Sequence, residues 1–281
     1  MQKGLNSPSV LITGCGKGGI GHALAVEFQK NGYTVFTTLL AHESRDHLTD
    51  IGITTISADV TKDDDVTSLR EVISEKTGGR LDILVNNAPQ PPAPNMLTGK
   101  QGYTMTGTDT DVKEVAKMFG VNVFGPMRMV HVFHALLIRA QGRIVNIGSV
   151  GGIVPYVYGS SYNAAKAALH HWGNTLRVEL KPFGVDVINI ISGEIGTNIL
   201  KRDRARRLPP GSVYEPLAEE FANHVDRTPK TTTPREYAKS VVVEVTKKSP
   251  RIWFWTGATT GIVWFGDTFL PRWIWVRRLW R

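Results

Sequence analysis

Three residues whose side chains could take part in a reaction lie close together in the second half of the chain. Tyr162 and Lys166 are four residues apart in a segment with a helical pattern, so their side chains project from one face. Ser149 lies upstream, at the end of an apolar run. Tyrosine, with a pKa near ~10, is a poor base at neutral pH, but a neighbouring ammonium lowers that pKa. A serine hydroxyl can hydrogen-bond a substrate oxygen, so the set predicts a site for carbonyl reduction.

A glycine-rich turn, TGCGKGGIG over residues 13–21, joins the first predicted strand to the first predicted helix. Glycine lets a backbone approach a pyrophosphate, and the helix amino terminus offers free N–H groups and a positive dipole end. This context predicts a dinucleotide-binding loop rather than a tight turn without a ligand. No carboxylate precedes Glu43 after the second strand, and Lys17 and His42 could meet a 2′-phosphate. We therefore predict NADPH as the cofactor. The alternative is that Lys17 is only a solvated cation of the loop and contacts no phosphate.

Strands and helices alternate in the part of the chain that must position these residues. Runs rich in Val and Ile predict strands at 9–13, 34–38, 53–57, 81–86, 143–148 and 185–191. Helical patterns fall at 20–31, 63–76, 109–140 (with a break near Gly125-Pro126) and 160–182. The alternation predicts an α/β fold. We expect a single Rossmann-type, doubly wound domain, with a mostly parallel six- to seven-stranded sheet and helices on both faces.

Together, these motifs resemble the short-chain dehydrogenase/reductase family over nearly the whole chain. The resemblance rests on the glycine loop, Asp59-Val60, Asn86-Asn87-Ala88, Asn122, Ser149, Tyr162-x-x-x-Lys166 and Ser192-Gly193-Glu194-Ile195-Gly196-Thr197. The glycine loop is one residue longer than usual. Three features are similar to a fungal subgroup around 1-acyldihydroxyacetone-phosphate reductase: the longer glycine loop, the sequence Leu208-Pro209-Pro210 and the Trp-rich tail. This subgroup also includes reductases of secondary metabolism.

The resemblance implies NADPH-dependent reduction of a ketone or aldehyde. Tyr162 would be the general acid, Lys166 would also bind the nicotinamide ribose, Ser149 would orient the carbonyl, and Asn122 would hold a water in the proton relay. The implied cofactor-binding residues are Gly14, Lys17, Gly19, Ile20, Gly21, Asp59, Val60, Asn86, Ala88, Tyr162, Lys166, Ile195 and Thr197.

Within that implied set, Asp59 and Val60 would flank the adenine and Asn86 the adenosine side, while Ile195 and Thr197 would hold the carboxamide. Three positions depart from the family pattern. Pro89 replaces the glycine after Asn-Asn-Ala, Ser192 replaces a proline, and Leu40 stands where related NADPH enzymes often place arginine. Pro89 lacks a backbone N–H and would reshape the wall beside the nicotinamide.

We expect the domain, residues 1–281, to divide by role. Residues 8–197 would form the dinucleotide-binding core with the catalytic residues, and 198–250 the substrate lid region. Residues 251–281 would add a seventh strand and an aromatic, basic segment. The long loop 89–108 is either a substrate-shaping wall or a disordered insertion. Long rim segments favour an apolar substrate of medium to large size.

Composition bounds the class of protein. The 281 residues are 41% hydrophobic and 21% charged, as in soluble globular proteins. The single cysteine, Cys15, excludes an intramolecular disulfide and indicates a reducing compartment. The polar amino terminus does not resemble a signal peptide. We therefore predict a cytoplasmic protein.

The net charge of +8 comes mainly from residues 201–207 and 251–281, which does not suggest a nucleic-acid groove. The first segment could receive an acidic substrate, form a solvated helix face or meet a membrane surface. The tail is too interrupted to span a bilayer. Either it makes peripheral contact with a membrane or lipid-droplet surface facing the cytosol, or a strand at 252–256 precedes an aromatic segment that packs on the fold or a neighbouring subunit.

The resemblance also implies a homodimer or homotetramer. Histidine spacing suggests no metal site, and Ser149 lacks the first glycine of a hydrolase G-x-S-x-G turn. Two other functions stay open. The chain could be a non-catalytic NADPH-binding protein or scaffold, or an enzyme that uses this fold for cyclisation, dehydration or isomerisation.

Overall fold

The computed structural model describes residues 7–88, 104–197, 206–271 and 273–278. Seven strands form one sheet: β1 (Ser9–Ile12), β2 (Thr34–Leu39), β3 (Thr54–Ser57), β4 (Ile83–Asn86), β5 (Arg143–Ile147), β6 (Asp186–Ser192) and β7 (Trp253–Thr256). All pairs are parallel and the order is β3-β2-β1-β4-β5-β6-β7. The predicted doubly wound α/β fold is confirmed, including the seventh strand.

Helices cover both faces of the sheet. They are α1 (Ile20–Lys30), α2 (Asp46–Thr49), α3 (Asp63–Thr77), α4 (Val112–Phe119), α5 (Gly125–Ala140), α6 (Ser160–Leu180), α7 (Ala218–Asp226), α8 (Pro234–Val245), α9 (Thr260–Phe269) and α10 (Trp273–Arg278). Local signals fix several ends. Three aspartates begin α3 at the positive dipole end and Gly78 ends it at φ 64°. Thr233 and Glu236 form a capping box before α8.

The core has one layer on each face of the sheet. On one face, α1 and α8 bury Leu24, Phe28, Tyr237 and Val241 against the strands. On the other, α3, α5 and α6 bury a second cluster that includes Leu69, Met129, Phe133 and Leu176. Because both faces are covered, the central strands β1, β4, β5 and β6 are buried and mainly apolar, as the sequence pattern indicated.

The helix between β4 and β5 differs from the expected break at Gly125-Pro126. α4 continues into a π-helical turn, Gly120–Phe124, and then directly into α5. Pro126 is accommodated in the first turn of α5. The irregularity therefore precedes the proline, and it contains Asn122. By length and composition Val112–Ala140 could cross a membrane, but 56% of its most apolar window is buried in this fold.

Candidate active site

A crevice of about 500 Å³ follows the carboxyl edge of the sheet. It extends from the glycine loop, at Gly14 and Gly19, to Tyr156 and Arg227. Parallel strands of doubly wound sheets present their carboxyl ends to ligands at this edge. Of the residues predicted from the sequence, these line it: Gly14, Lys17, Gly19, Ile20, Ala88, Asn122, Ser149, Tyr162, Lys166, Ile195 and Thr197.

Helix α6 and the turn after β5 bring the reactive groups together. Tyr162 lies in the first turn of α6, and its hydroxyl hydrogen-bonds with the side chain of Ser149. The Ser149 Oγ accepts a further bond from Gly151 N at 3.1 Å. One turn along α6, Lys166 Nζ donates to Ile147 O at 3.0 Å and lies 5.7 Å from the Tyr162 ring centroid. The predicted spacing therefore places all three side chains on one wall.

The expected fall in the pKa of Tyr162 does not occur in this structure. Burial raises the pKa of Tyr162, the hydrogen bond from Ser149 opposes the rise, and the Glu194 carboxylate adds to it. Burial also lowers the pKa of Lys166 to about 8. The physical reason is that enclosure by protein disfavours the charged form of both groups. Tyr162 is therefore a neutral phenol at neutral pH, which is the form that donates a proton.

The amide of Asn122 is held from within its own helix. Asn122 is buried, and its Nδ2 donates to Met118 O at 3.0 Å. The π-helical turn that contains Asn122 interrupts the regular i→i−4 bonding of the helix, an arrangement frequent at functional sites. This turn brings Asn122 to the crevice wall beside Lys166.

The glycine loop is positioned by Asn87 and Thr13, two residues that the sequence motifs contain but to which the prediction gave no role. Asn87 Nδ2 donates to the carbonyls of Thr13 and Gly14, each at 2.8 Å. Thr13 Oγ1 in turn accepts from the N–H groups of Asn87 and Ala88. Gly14 has φ 70°, and a Cβ at Gly21 would lie 2.5 Å from both Asn87 and the Gly14 carbonyl. The loop therefore needs glycine at both positions.

A carboxylate lies at the loop end of the crevice, where the sequence led us to expect the cations Lys17 and His42 to meet a 2′-phosphate. Glu43 lines the crevice with Lys17 and Ser44. Its Oε2 accepts from Leu40 N at 2.8 Å, which ties the carboxylate to the end of β2. His42 is exposed and does not line this part of the crevice. The signal was present in the sequence, since Glu43 was the first acidic residue after the strand.

Four predicted cofactor residues do not line the main crevice. Gly21 packs beneath the glycine loop, as described above. The Asp59 carboxylate accepts from the N–H and hydroxyl of Thr61. Val60 and Asn86 line a small recess beside the crevice, next to Asn122.

Asn86 also begins a buried row of asparagines across the sheet. Asn86 pairs in register with Asn146, and Asn146 with Asn189. Their amides are linked at 2.9 and 3.2 Å, and Asn189 Nδ2 continues to the His170 carbonyl at 3.0 Å. This asparagine row ties β4, β5 and β6 to α6 just beneath the site. Gly173 makes room for it, since a Cβ there would lie 2.4 Å from Asn189.

The far end of the crevice combines aromatic rings with an ion pair. Tyr156 hydrogen-bonds with both Glu194 and Arg227, and the Arg227 guanidinium lies 5.2 Å from the Tyr156 ring centroid. Arg227 Nη2 is 3.8 Å from Glu194 Oε1. Tyr158, at φ 58°, packs against Phe221 of α7. A positive φ is rare for an aromatic residue, and such strain is typical of functional sites.

Some predicted features lie outside the described residues: Pro89, most of the loop 89–108, and the cations Lys201, Arg202 and Arg204. Arg207 is described, and it pairs with Asp226 at 3.8 Å. Within the described ranges, no group of three or more His, Cys, Asp or Glu is placed to hold a metal ion.

Comparison with known proteins gives a consistent result. A family model described as short chain dehydrogenase matches residues 8–208. The chain is 61% identical over 275 residues to the short-chain dehydrogenase anuB of Penicillium roqueforti, covering 98% of this chain and 92% of that protein. It is 37% identical over 233 residues to the NADPH-dependent 1-acyldihydroxyacetone phosphate reductase of Schizosaccharomyces pombe, covering 82% and 75%. A short chain dehydrogenase of Burkholderia cenocepacia, solved with NADP, shares the fold with a TM-score of 0.74 at 20% identity and 99% coverage of both chains.

Proposed function

The chain belongs to the short-chain dehydrogenase family, and from that premise we propose that it is an NADPH-dependent reductase of ketones or aldehydes. The observation that carries the proposal is one crevice with a glycine-rich loop at one end and the hydrogen-bonded pair Ser149–Tyr162 farther along it. A dinucleotide anchored at the loop would extend along the crevice towards that pair.

The glycine loop fits a dinucleotide. A Cβ at Gly19 would lie 3.1 Å from Gly16 O, which shows how closely the loop backbone turns at this point. The amino terminus of α1 follows directly and faces the crevice through Ile20, which suits a pyrophosphate. Tyr162, Lys166, Ile195 and Thr197 would hold the nicotinamide half. NADPH, when bound, supplies the hydride that the reduction requires.

The protein's own residues would handle the substrate oxygen. The Ser149 hydroxyl donates a hydrogen bond to the carbonyl oxygen and orients it. Tyr162 would give its phenolic proton to that oxygen when the carbonyl carbon is reduced, which yields the alcohol and leaves a phenolate. The Lys166 ammonium stabilises the phenolate, and Asn122 holds the water through which the proton is restored.

NADPH rather than NADH is the proposed cofactor. The S. pombe relative is named for its NADPH dependence, and Lys17 lines the loop end of this crevice. Glu43 lies nearby, but its carboxylate accepts a hydrogen bond from the Leu40 N–H, which partly offsets its negative charge. The test is the dissociation constant of each dinucleotide for wild type and Lys17→Ala. We expect the variant to lose about tenfold for NADPH and little for NADH; equal losses for both would contradict a phosphate contact.

The substrate is proposed to be apolar and of medium to large size. The far end of the crevice is lined by Tyr156, Tyr158 and Val225, together with the Glu194–Arg227 ion pair. Several relatives carry names of fungal short-chain dehydrogenases such as virD and fogD, in keeping with a secondary-metabolite intermediate, while the S. pombe name favours a lipid-like one. Within the predicted lid region, α8 belongs to the core. We therefore assign the lid to the segment before it, which includes α7.

The decisive experiment is NADPH consumption with purified protein across a panel of ketones and aldehydes, followed by product analysis. The proposal expects alcohol formation matched one-to-one by NADPH oxidation. A product formed without NADPH would indicate cyclisation, dehydration or isomerisation instead. Binding of NADPH without turnover on any carbonyl would favour a non-catalytic role.

We also propose that the protein is cytoplasmic and that its carboxyl-terminal segment contacts an anionic membrane surface peripherally. One face of α9 is packed through Val263, while Ile262, Phe265 and Phe269 are exposed on the other. Arginines follow in the sequence, at 272, 277, 278 and 281. Exposed aromatic residues with nearby cations suit an anionic lipid surface.

The membrane proposal is tested by flotation with phosphatidylserine vesicles, using wild type and the triple variant Ile262→Ser, Phe265→Ser, Phe269→Ser. Vesicle binding by wild type, and loss of that binding in the variant, would support the proposal. If wild type does not bind vesicles but light scattering gives it a larger molar mass than the triple variant, this face would instead contact a second copy of the chain. We separately propose a homodimer or homotetramer, as the resemblance implies, and the same light-scattering measurement on wild type gives its size.

A further inference from the structure

His170 continues a line of functional side chains along α6. It follows Lys166 by four residues, as Lys166 follows Tyr162, so all three lie on one face. His170 is only 3% exposed and does not line the crevice. Its Nε2 accepts a hydrogen bond from the backbone N–H of Ser149 at 3.2 Å. The mechanism above assigns it no role.

The backbone around Ser149 is shaped to enclose this imidazole. A Cβ at Gly148 would lie 2.0 Å from His170 Nε2, and one at Gly152 would lie 2.7 Å from Cε1. Both positions therefore exclude any larger residue. The ring is enclosed beneath the turn Val150–Gly152, whose first residue follows Ser149 directly.

The ring is held in its neutral form, with one polar atom left over. Burial lowers the pKa of His170 to about 3, and the Lys166 ammonium contributes. Because Nε2 accepts from Ser149, the hydrogen of the neutral ring is assigned to Nδ1. Nδ1 is buried and has no hydrogen-bond partner within the described part of the chain. Such a group costs free energy, and an apolar side chain would fill the space without that cost. Packing alone therefore does not explain a histidine here.

We propose that His170 is a positioning residue for Ser149. Its Nε2 fixes the Ser149 backbone, and so the direction from which the Ser149 hydroxyl meets the substrate carbonyl. The inference rests on the proposed carbonyl reduction, in which Ser149 orients the substrate. His170 acts only through Ser149, because it does not itself reach the crevice.

The test compares His170→Gln with His170→Met. The two side chains have nearly the same length and shape, but only glutamine offers a strong acceptor near the position of Nε2. We expect His170→Met to lower kcat about 10- to 100-fold, since small misplacements at a reacting centre have effects of this size. His170→Gln should restore kcat to within about fivefold of wild type. The KM for NADPH should stay unchanged in both, because the glycine loop is remote. His171→Gln, at the exposed neighbouring position, is the matched control.

Two outcomes would overturn the inference: wild-type kcat in folded His170→Met, or equal losses in the methionine and glutamine variants. If His170→Met does not fold, the ¹⁵N NMR spectrum of the wild-type imidazole decides. We expect a neutral Nδ1–H tautomer from pH 5 to 8, and an Nε2–H tautomer would contradict the geometry. The spectrum does not depend on turnover. An inactive wild type with the expected tautomer would therefore count against the reductase and leave the contact to Ser149 intact.

Discussion

Helices α6 and α7 both contribute side chains to one crevice, and the contacts around those side chains differ between the two helices. Lys166 donates to Ile147 O, at the last residue of β5, at 3.0 Å, and His170 accepts from Ser149 N, just after β5, at 3.2 Å. α7 instead packs Phe221 and His224 against Tyr158, and the Glu194–Arg227 ion pair adjoins its end. Hydrogen bonds fix direction, whereas apolar contacts are non-directional. The difference suggests that α6 fixes the chemistry and the α7 wall adapts to the substrate.

The strongest test of this division is Tyr162→Phe, which removes one oxygen from the rigid wall. We expect kcat to fall at least about 1,000-fold, because the proton donor for the alkoxide is lost. The dissociation constant for NADPH, measured by fluorescence, should change less than about threefold, since the ring remains. Near-normal turnover in this variant would refute the role of Tyr162.

The second test uses the ionisation of Lys166 on the same wall. Burial lowers the pKa of Lys166 to about 8, while the pKa of Tyr162 is raised. Lys166 is charged below its pKa, so the rate of reduction should be highest below pH 8. It should fall about tenfold per pH unit above that, as the ammonium is lost before the phenol ionises. Lys166→Arg stays charged over this range, so its rate should not fall above pH 8, although its overall rate should be lower than that of wild type. A wild-type profile that stays flat from pH 7 to 10 would contradict this assignment.

The two walls also differ in how much the sequence reveals. Tyr162, Lys166 and Ser149 could be predicted because spacing along a helix and the end of a strand are local properties. The Glu194–Arg227 pair joins the loop after β6 to the end of α7, and neither residue has a local signal for the other. The fold was predictable from the same alternation of strands and helices.

Other features required tertiary structure. The π-helical turn at Asn122 was missed because Gly125-Pro126 is the stronger helix-breaking signal in the sequence. The raised pKa of Tyr162 depends on enclosure by distant segments, which spacing to Lys166 does not report. The asparagine row depends on the register of three strands.

A weaker effect is expected on the α7 wall, from Arg227→Met. The change removes the cation beside Tyr156 and leaves Glu194 without that ion pair at the substrate end. We expect kcat/KM for the carbonyl substrate to fall about tenfold, while KM for NADPH stays within twofold. Arg207→Met is the matched control, because Arg207 pairs with Asp226 and its side chain is 62% exposed. Equal effects of the two variants would show that the loss comes from general damage to the lid.

The smallest effect is expected beneath the rigid wall, at Trp253. Its Nε1 donates to Asn174 Oδ1 at 2.7 Å, and the same oxygen also receives bonds from Arg177 and Asn189. Trp253→Phe therefore leaves the acceptor satisfied and keeps an aromatic ring near His170. We expect a loss of about 1 kcal/mol in the free energy of unfolding, or about 2 °C in Tm, with kcat unchanged. The exposed Trp264→Phe should change neither quantity. If Trp253→Phe lowered kcat as much as His170→Met, the position of the reactive groups would depend on contacts well below the site. The bonds of Lys166 and His170 to the end of β5 and to Ser149 would then not be sufficient to fix α6.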